Sequence, residues 1–217
     1  FSAQLSFGIE EETKKAIAFM APNLAAISAE RICAELIKTI TSDSPGKMRL
    51  AYELGVTKIV LPEFDDMMLT EQNTKHHWFS VGEHTIRTME NIPPDRILRL
   101  TMLLHDIGKP MCRRTDENGD DHFKAHAAAS ERIAVDIMKR LKMDNDTIKR
   151  VRMLIRFHDW HYIPDEVNVR RLLTVSYINS GRAVGRCNGD FIRSLYIHQR
   201  LKLADRKERV CIRKLQV

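Results

Sequence analysis

Long apolar runs are missing from this chain of 217 residues: the longest, Ala16 to Ala21, is about six residues against the roughly 20 that a membrane-spanning helix needs. The expectation is a protein that works outside the membrane. Cysteine is scarce and scattered. Cys33, Cys112, Cys187 and Cys211 form no C-x-x-C pair, which excludes a zinc knuckle and a dithiol redox site and suits a reducing cytoplasm. Glycine and proline are few, nine and seven, and alternating strand patterns are nearly absent, so an all-α fold is expected. No basic stretch followed by an apolar run marks a leader. The chain begins with Phe1 rather than Met, which reads as a fragment of something longer.

What is present excludes disorder: 43% of the residues are hydrophobic, enough for an apolar core. Charge is unevenly placed. Residues 1–75 carry 8 basic and 11 acidic residues, a net −3, whereas residues 164–217 carry 12 and 5, a net +7. A basic segment of that kind suits phosphate-rich partners such as RNA or nucleotides, although any single Lys or Arg is equally explained as part of a solvated helix face. Arg170, Arg171, Arg200, Lys202, Arg206, Lys207 and Arg209 are the candidate RNA contacts.

Helix punctuation divides the chain. Helices are expected over Ile9 to Ala21, with Glu10, Glu11 and Glu12 at the positive end, and from a Ser28 cap to Ile40. A third starts at Ser44-Pro45 and stops at Gly55. Leu61 to Phe79 has Pro62, an acidic pair and no periodicity. It reads as a linker, with a domain boundary dividing residues 1–75 from 76–217. Beyond it Ser80 to Glu83 is a capping box that opens a helix carrying His84. The next helix starts at Pro94-Asp95 and ends before Gly108 and Pro110, with His105-Asp106 in its last turn. Asp116 to Asp121 is a polar turn, and Ala125 to Lys142 and Asp146 to Phe157 are helical. Two further helices are expected after Val167, the last long and basic and carrying Asp205.

Nine histidines are many for this length. His84, His105, Asp106, His126, His158 and Asp205 each fall near a helix end or on an apolar face, where a bundle brings side chains together. Imidazole and carboxylate without thiolate suit Mn, Mg, Ni, Co, Fe or catalytic Zn, not a closed structural zinc site. Singly, each histidine is as well explained as a hydrogen-bonded core residue, and a lone Asp as a cap. Together they point to a metal. His122 falls in the polar loop, and His76, His77, His161 and His198 default to surface or structural roles. Lys109 reads as a cation at a helix end.

His84, the run Leu103-Leu104-His105-Asp106-Ile107-Gly108-Lys109 and a distant Asp205 in Leu203-Ala204-Asp205 resemble the HD-domain metal-dependent phosphohydrolases. The resemblance implies that His84, His105, Asp106 and Asp205 hold one divalent ion. His126 and His158 are similar to the extra ligands of the branch that holds two, with Asp106 as the bridge. It also gives Lys109 a second reading, as a phosphate contact. Asp190, in Gly189-Asp190-Phe191, is the rival of Asp205.

A wider resemblance covers about residues 1–172. Phe1 to Gly8, Ile27 to Ile32 with Glu35, Leu54-Gly55-Val56, Leu61-Pro62-Glu63 and Val81 to Thr85 look, in that order, like the C-terminal body of bacterial CCA-adding tRNA nucleotidyltransferases and poly(A)-polymerase-like proteins. It implies that residues 1–75 are neck and body helices that contact tRNA, with Glu30 and Arg31 bracing the neck, followed by an HD domain. The family's Gly-rich loop and nucleotidyl-transfer carboxylates are absent from this chain, so it is not expected to add CCA alone. The implied chemistry is hydrolysis of a phosphomonoester or phosphodiester, with a nucleotide or the end of an RNA as substrate. The alternative is a non-catalytic RNA-binding body whose HD residues are structural.

Overall fold

The computed structural model describes residues 1–73 and 79–159, and over these the fold is all-α apart from one short hairpin. A single turn, α1 (Ser2–Leu5), precedes α2 (Glu11–Met20), whose N-cap Glu10 accepts from the Thr13 amide at 3.1 Å. A 3-10 turn over Ala21–Ala26 follows, with Pro22 at its start. The next helix, α3 (Ala29–Ile40), begins after Ser28 as expected, although the Ser28 hydroxyl makes no capping bond. Pro45–Lys47 is a 3-10 turn that leads into α4 (Met48–Glu53), and Gly55 takes a left-handed φ of 70° before α5 (Val56–Val60).

The expected linker departs most from the reading. Residues Pro62–Leu69 form a helix, α6, started by Pro62 at its first position and by Glu63 and Asp65 in its first turn, where carboxylates suit the helix dipole. Phe64 and Met67, three residues apart on one face, have no exposed surface. Two apolar contacts in eight residues are too few to give a periodic signal, yet tertiary burial is enough to hold the helix.

After residue 79 come α7 (Val81–Glu90) and α8 (Arg96–Leu104). The Ser80 hydroxyl accepts from the Glu83 amide at 3.2 Å, so half of the capping box forms. The Glu83 carboxylate turns instead to Arg49 and Arg87, at 2.7 Å from each. Asp95 caps α8, accepting from the amides of Ile97 and Leu98. His105 and Asp106 lie in the tight turn just past α8 and not inside its last turn. Then follow α9 (Lys109–Cys112), a hairpin of β1 (Arg114–Thr115) and β2 (Asp121–His122), α10 (His126–Arg140) and α11 (Asn145–Phe157), the last capped by Asp144.

One buried apolar cluster joins Leu36, Ile40, Phe64 and Met67 to Leu103, Leu104, Met138 and Ile155. The helices before residue 73 and those after residue 79 thus share a core. Two glycines allow the approach. A methyl on Gly82 would lie 2.8 Å from the Met68 Cα, and one on Gly108 would lie 2.5 Å from the Ser130 amide nitrogen. Both contacts are closer than a Cβ tolerates, so α6 meets α7, and the His105-Asp106 turn meets α10, only at glycine.

The hairpin is tied back by Asp121. Its buried carboxylate accepts from the Asn73 amide at 2.8 Å and pairs with Arg113 at 2.9 Å. Burial raises its pKa, but hydrogen bonds from Arg113, Thr115 and the Asn73 amide outweigh this and hold it at about 2, below the usual 3.8. A depressed carboxyl pKa contributes stability that is complete above the unfolded value and is lost as pH falls through the folded one. Asp121→Asn should therefore melt below wild type at neutral pH, and the gap should narrow between pH 3.8 and about 2. A gap independent of pH over that window would show that the ionised carboxylate is not what stabilises the hairpin.

Candidate metal centre

Four helix ends deliver the side chains. His84 lies in the first turns of α7, His105 and Asp106 in the turn past α8, His126 at the first position of α10, and His158 at the C-terminal cap of α11. Ala125, just before His126, has a positive φ of 62°, a conformation that costs a non-glycine residue on the order of 1 kcal/mol. That backbone turn starts α10 with His126 facing inward. His84, His105, Asp106 and His126 are all buried, and His158 is nearly so.

Backbone carbonyls orient three of the rings. Nδ1 of His105 meets Met102 O at 2.7 Å, Nδ1 of His126 meets Phe123 O at 2.8 Å and Nδ1 of His158 meets Ile155 O at 2.6 Å. A carbonyl can only accept, so each Nδ1 carries the proton. The neutral ring then presents an Nε2 lone pair, the arrangement in which a metal ligand is held by an outer hydrogen bond.

Those nitrogens converge on one carboxylate. Oδ2 of Asp106 lies 3.1 Å from His105 Nε2 and 3.8 Å from His84 Nε2, and Oδ1 lies 3.4 Å from His126 Nε2 and 3.5 Å from His158 Nε2. Two groups of three ligand atoms result, His84, His105 and Asp106, and Asp106, His126 and His158. The second group is especially telling. His126 Nε2 and His158 Nε2 are 3.1 Å apart, and burial lowers the His126 pKa despite the nearby Asp106, which favours its neutral ring. Two neutral rings in this tautomer would set lone pair against lone pair. Asp106 Oδ1 beside them is buried without a hydrogen-bond partner among the described residues. Three acceptors facing one point are what a divalent cation resolves, so the donor set fits such an ion.

Lys109 is also buried here. Its Nζ lies 2.7 Å from Asp106 Oδ2 and 2.9 Å from Gln72 Oε1, so it belongs to the centre and not to an exposed helix end. Burial acts to raise the Asp106 pKa, but the His105 imidazole beside it and the Lys109 ammonium hold the carboxyl well below its ordinary value. Gln72 was not signalled by the sequence. It lies in an aperiodic stretch far from Lys109 along the chain, and only the fold joins them.

His122 pairs with Asp116 at 2.8 Å, away from the cluster. Asp205, its rival Asp190 and the basic residues Arg170, Arg171, Arg200, Lys202, Arg206, Lys207 and Arg209 fall outside the described residues, as do His76, His77, His161 and His198.

Comparison with known proteins agrees with this geometry. Residues 6–68 match the family described as the probable RNA- and SrmB-binding site of polymerase A, and residues 74–179 match the HD domain. Among curated relatives, the A-adding tRNA nucleotidyltransferase of Deinococcus radiodurans is 29% identical over 80% of this chain and 42% of its own length. The CC-adding tRNA nucleotidyltransferase of Thermus thermophilus is 31% identical over 72% of this chain and 39% of its own length. The multifunctional CCA protein of Neisseria meningitidis serogroup C is 28% identical over 81% and 42%. The chain thus spans about two fifths of the length of these relatives, and among its described residues no helix is long and apolar enough to cross a membrane. The chain belongs, over the matched residues, to the CCA-adding tRNA nucleotidyltransferase-like proteins in which an RNA-binding segment is followed by an HD domain.

Proposed function

We propose that this chain is the body and HD part of a cytoplasmic tRNA nucleotidyltransferase-like protein, and that its HD centre hydrolyses phosphomonoester or phosphodiester bonds, on a nucleotide or at the end of an RNA. The division between a tRNA-binding body, 1–75, and an HD domain, 76–217, is part of the proposal. His84, His105 and Asp106 hold one divalent ion, completed by Asp205 or Asp190. His126, His158 and the shared Asp106 hold another. The observation that carries this reading is the Asp106 carboxylate set between two groups of histidines, with Oδ1 unpartnered.

Such ions, when bound, bring the pKa of water towards neutrality and neutralise charge developing on phosphoryl oxygens. The protein's own part is positional. Met102 O, Phe123 O and Ile155 O fix the rings of His105, His126 and His158, so little rearrangement is needed on loading. Asp106 stays ionised. Lys109, the one ammonium that reaches this carboxylate among the described residues, steadies a phosphate oxygen. In the basic segment, Arg170, Arg171, Arg200, Lys202, Arg206, Lys207 and Arg209 hold the RNA backbone.

A second reading, an RNA-binding body whose HD residues are structural, is favoured by the Lys109–Asp106 contact of 2.7 Å, which already neutralises one oxygen. The test is an assay of phosphate or nucleotide release from phosphomonoesters, cyclic nucleotides, dinucleoside polyphosphates and RNA with 2′,3′-cyclic ends, with Mn, Ni, Co or Mg supplied. Release that stops on chelation is the expected result. Metal-loaded protein inert across the panel would leave the second reading standing.

A further inference from the structure

Two arginines of α11 share one buried carboxylate of α10. Arg152 Nε lies 2.6 Å from Glu131 Oε1, and Arg156 Nη1 lies 3.3 Å from Glu131 Oε2, so each oxygen takes one guanidinium. Glu131 is buried, whereas the two arginine side chains remain 56% and 57% exposed. A guanidinium carries five N–H donors. Glu131 engages one on each, which holds both forks in place while more than half of their surface stays open. Lys149 is exposed on the same face of α11, three residues before Arg152 and seven before Arg156, as the helical repeat places them. The setting is basic. Residues 124–158 carry 9 basic and 4 acidic residues, a net +5, whereas residues 6–68, the stretch that matches an RNA-binding family, carry 7 and 10, a net −3.

We infer that Arg152 and Arg156, buttressed by Glu131, form with Lys149 a preset clamp for the phosphodiester backbone of RNA. The inference rests on the RNA-binding reading above and adds to it a surface on the two helices that present His126 and His158. The electrostatic part of RNA binding comes from cations that neutralise phosphates, and the net charge of residues 6–68 has the wrong sign for it. An exposed arginine loses much rotamer freedom when it is held against a phosphate, which offsets part of the contact. Here a buried carboxylate has already imposed the order. Glu131 neutralises one of the two guanidinium charges, so a net positive charge remains to meet an anion, and each fork can offer paired donors to phosphate oxygens. Glu131 lies five residues from His126 along α10, about 7.5 Å of helix rise. A strand held at the clamp therefore runs close to the helix ends that form the metal centre.

The experiment measures binding of the full chain to an unmodified tRNA transcript by fluorescence anisotropy over a series of salt concentrations. Arg152→Gln with Arg156→Gln should weaken binding at low salt by about tenfold or more and lower the salt slope by about two. Lys139→Gln with Lys142→Gln, which removes the same charge from the other end of α10, should leave both near wild type. Glu131→Gln is the sharper test. It makes the protein more positive, which tightens binding if the arginines are only a solvated basic face, but it loosens the buttress, and the clamp predicts a weakening of roughly threefold to tenfold. Arg152→Lys with Arg156→Lys keeps every charge and loses the forks, so affinity should fall while the salt slope stays. Binding as tight as wild type or tighter in Glu131→Gln, or a loss in Lys139→Gln with Lys142→Gln as large as in the arginine pair, would overturn the clamp and leave the RNA reading intact. Should removal of both arginines unfold the protein, Glu131→Gln and the Arg→Lys pair, shown by melting curves to be folded, decide the matter. Wild type that binds no tRNA at any salt overturns both readings.

Discussion

Asp106→Asn should abolish divalent-ion uptake and lower stability together. The substitution keeps the shape of the side chain and removes the charge that both groups of histidines face. Lys109 then loses its partner at 2.7 Å and keeps only the neutral Gln72 carbonyl. Breaking a buried ion pair from one side costs about 3–5 kcal/mol, because the remaining charge stays buried without compensation. For a chain of this length that is a fall in Tm of roughly 10 °C. Divalent ions that bind only the folded state should raise the Tm of wild type with concentration, whereas the variant should show no such rise. Calorimetric melting with and without Mn(II), alongside metal analysis, reads both effects. A variant that retains its ion would remove Asp106 from the bridge and leave the histidine pairs to act independently.

The parts of this architecture that were legible in the sequence are those fixed locally. Ser80 and Asp95, read as helix starts, cap their helices with side-chain bonds to nearby amides, and each such bond spans only two or three residues. The histidines could be singled out because their residue types and helix-end positions already restrict the chemistry. The helix over Pro62–Leu69 could not be read, since Phe64 and Met67 are its only buried residues and its other positions carry Glu63, Asp65 and Asp66. Its stability comes from tertiary packing, chiefly against α5 and α7. The same holds at the centre itself: the role of Lys109 depends on Gln72, 37 residues away, and no local pattern announces that contact. Ser28 shows the converse, a residue correctly placed as a cap whose hydroxyl makes no capping bond.

Arg99 is the other residue whose weight only the fold reveals, and its loss should be nearly as costly as that of Asp106. On sequence it is one polar residue in the apolar run of α8; in the fold its side chain is buried, 4% exposed. Among the described residues no carboxylate meets it. Nη2 donates to Ile92 O at 2.7 Å, Nε is shared between Ile92 O and Pro93 O at 3.1 Å each, and Nη1 donates to Ile40 O at 3.0 Å. Ile40 ends α3, where a cation is favoured by the helix dipole, while Ile92 and Pro93 lie in the loop between α7 and α8. One planar fork therefore fastens the end of an early helix to the frame that presents His84 and His105. Burial lowers the guanidinium pKa, partly offset by Asp43 and Glu90, but arginine remains charged at any pH at which the protein is folded. Arg99→Met preserves most of the stem and leaves buried carbonyls without donors, at about 1–3 kcal/mol for each group stranded. The expected total is about 3 kcal/mol or more, a fall of roughly 6–12 °C in Tm. Arg99→Lys should recover little of it, because a single ammonium cannot span acceptors that the fork reaches in different directions. Since α3 and α8 share one apolar core, the loss should appear as one cooperative transition moved down in temperature. Two separated transitions in Arg99→Met would instead mean that the early helices melt on their own, with the guanidinium as their main attachment. A Tm within a degree or two of wild type would show that the stranded carbonyls find other donors.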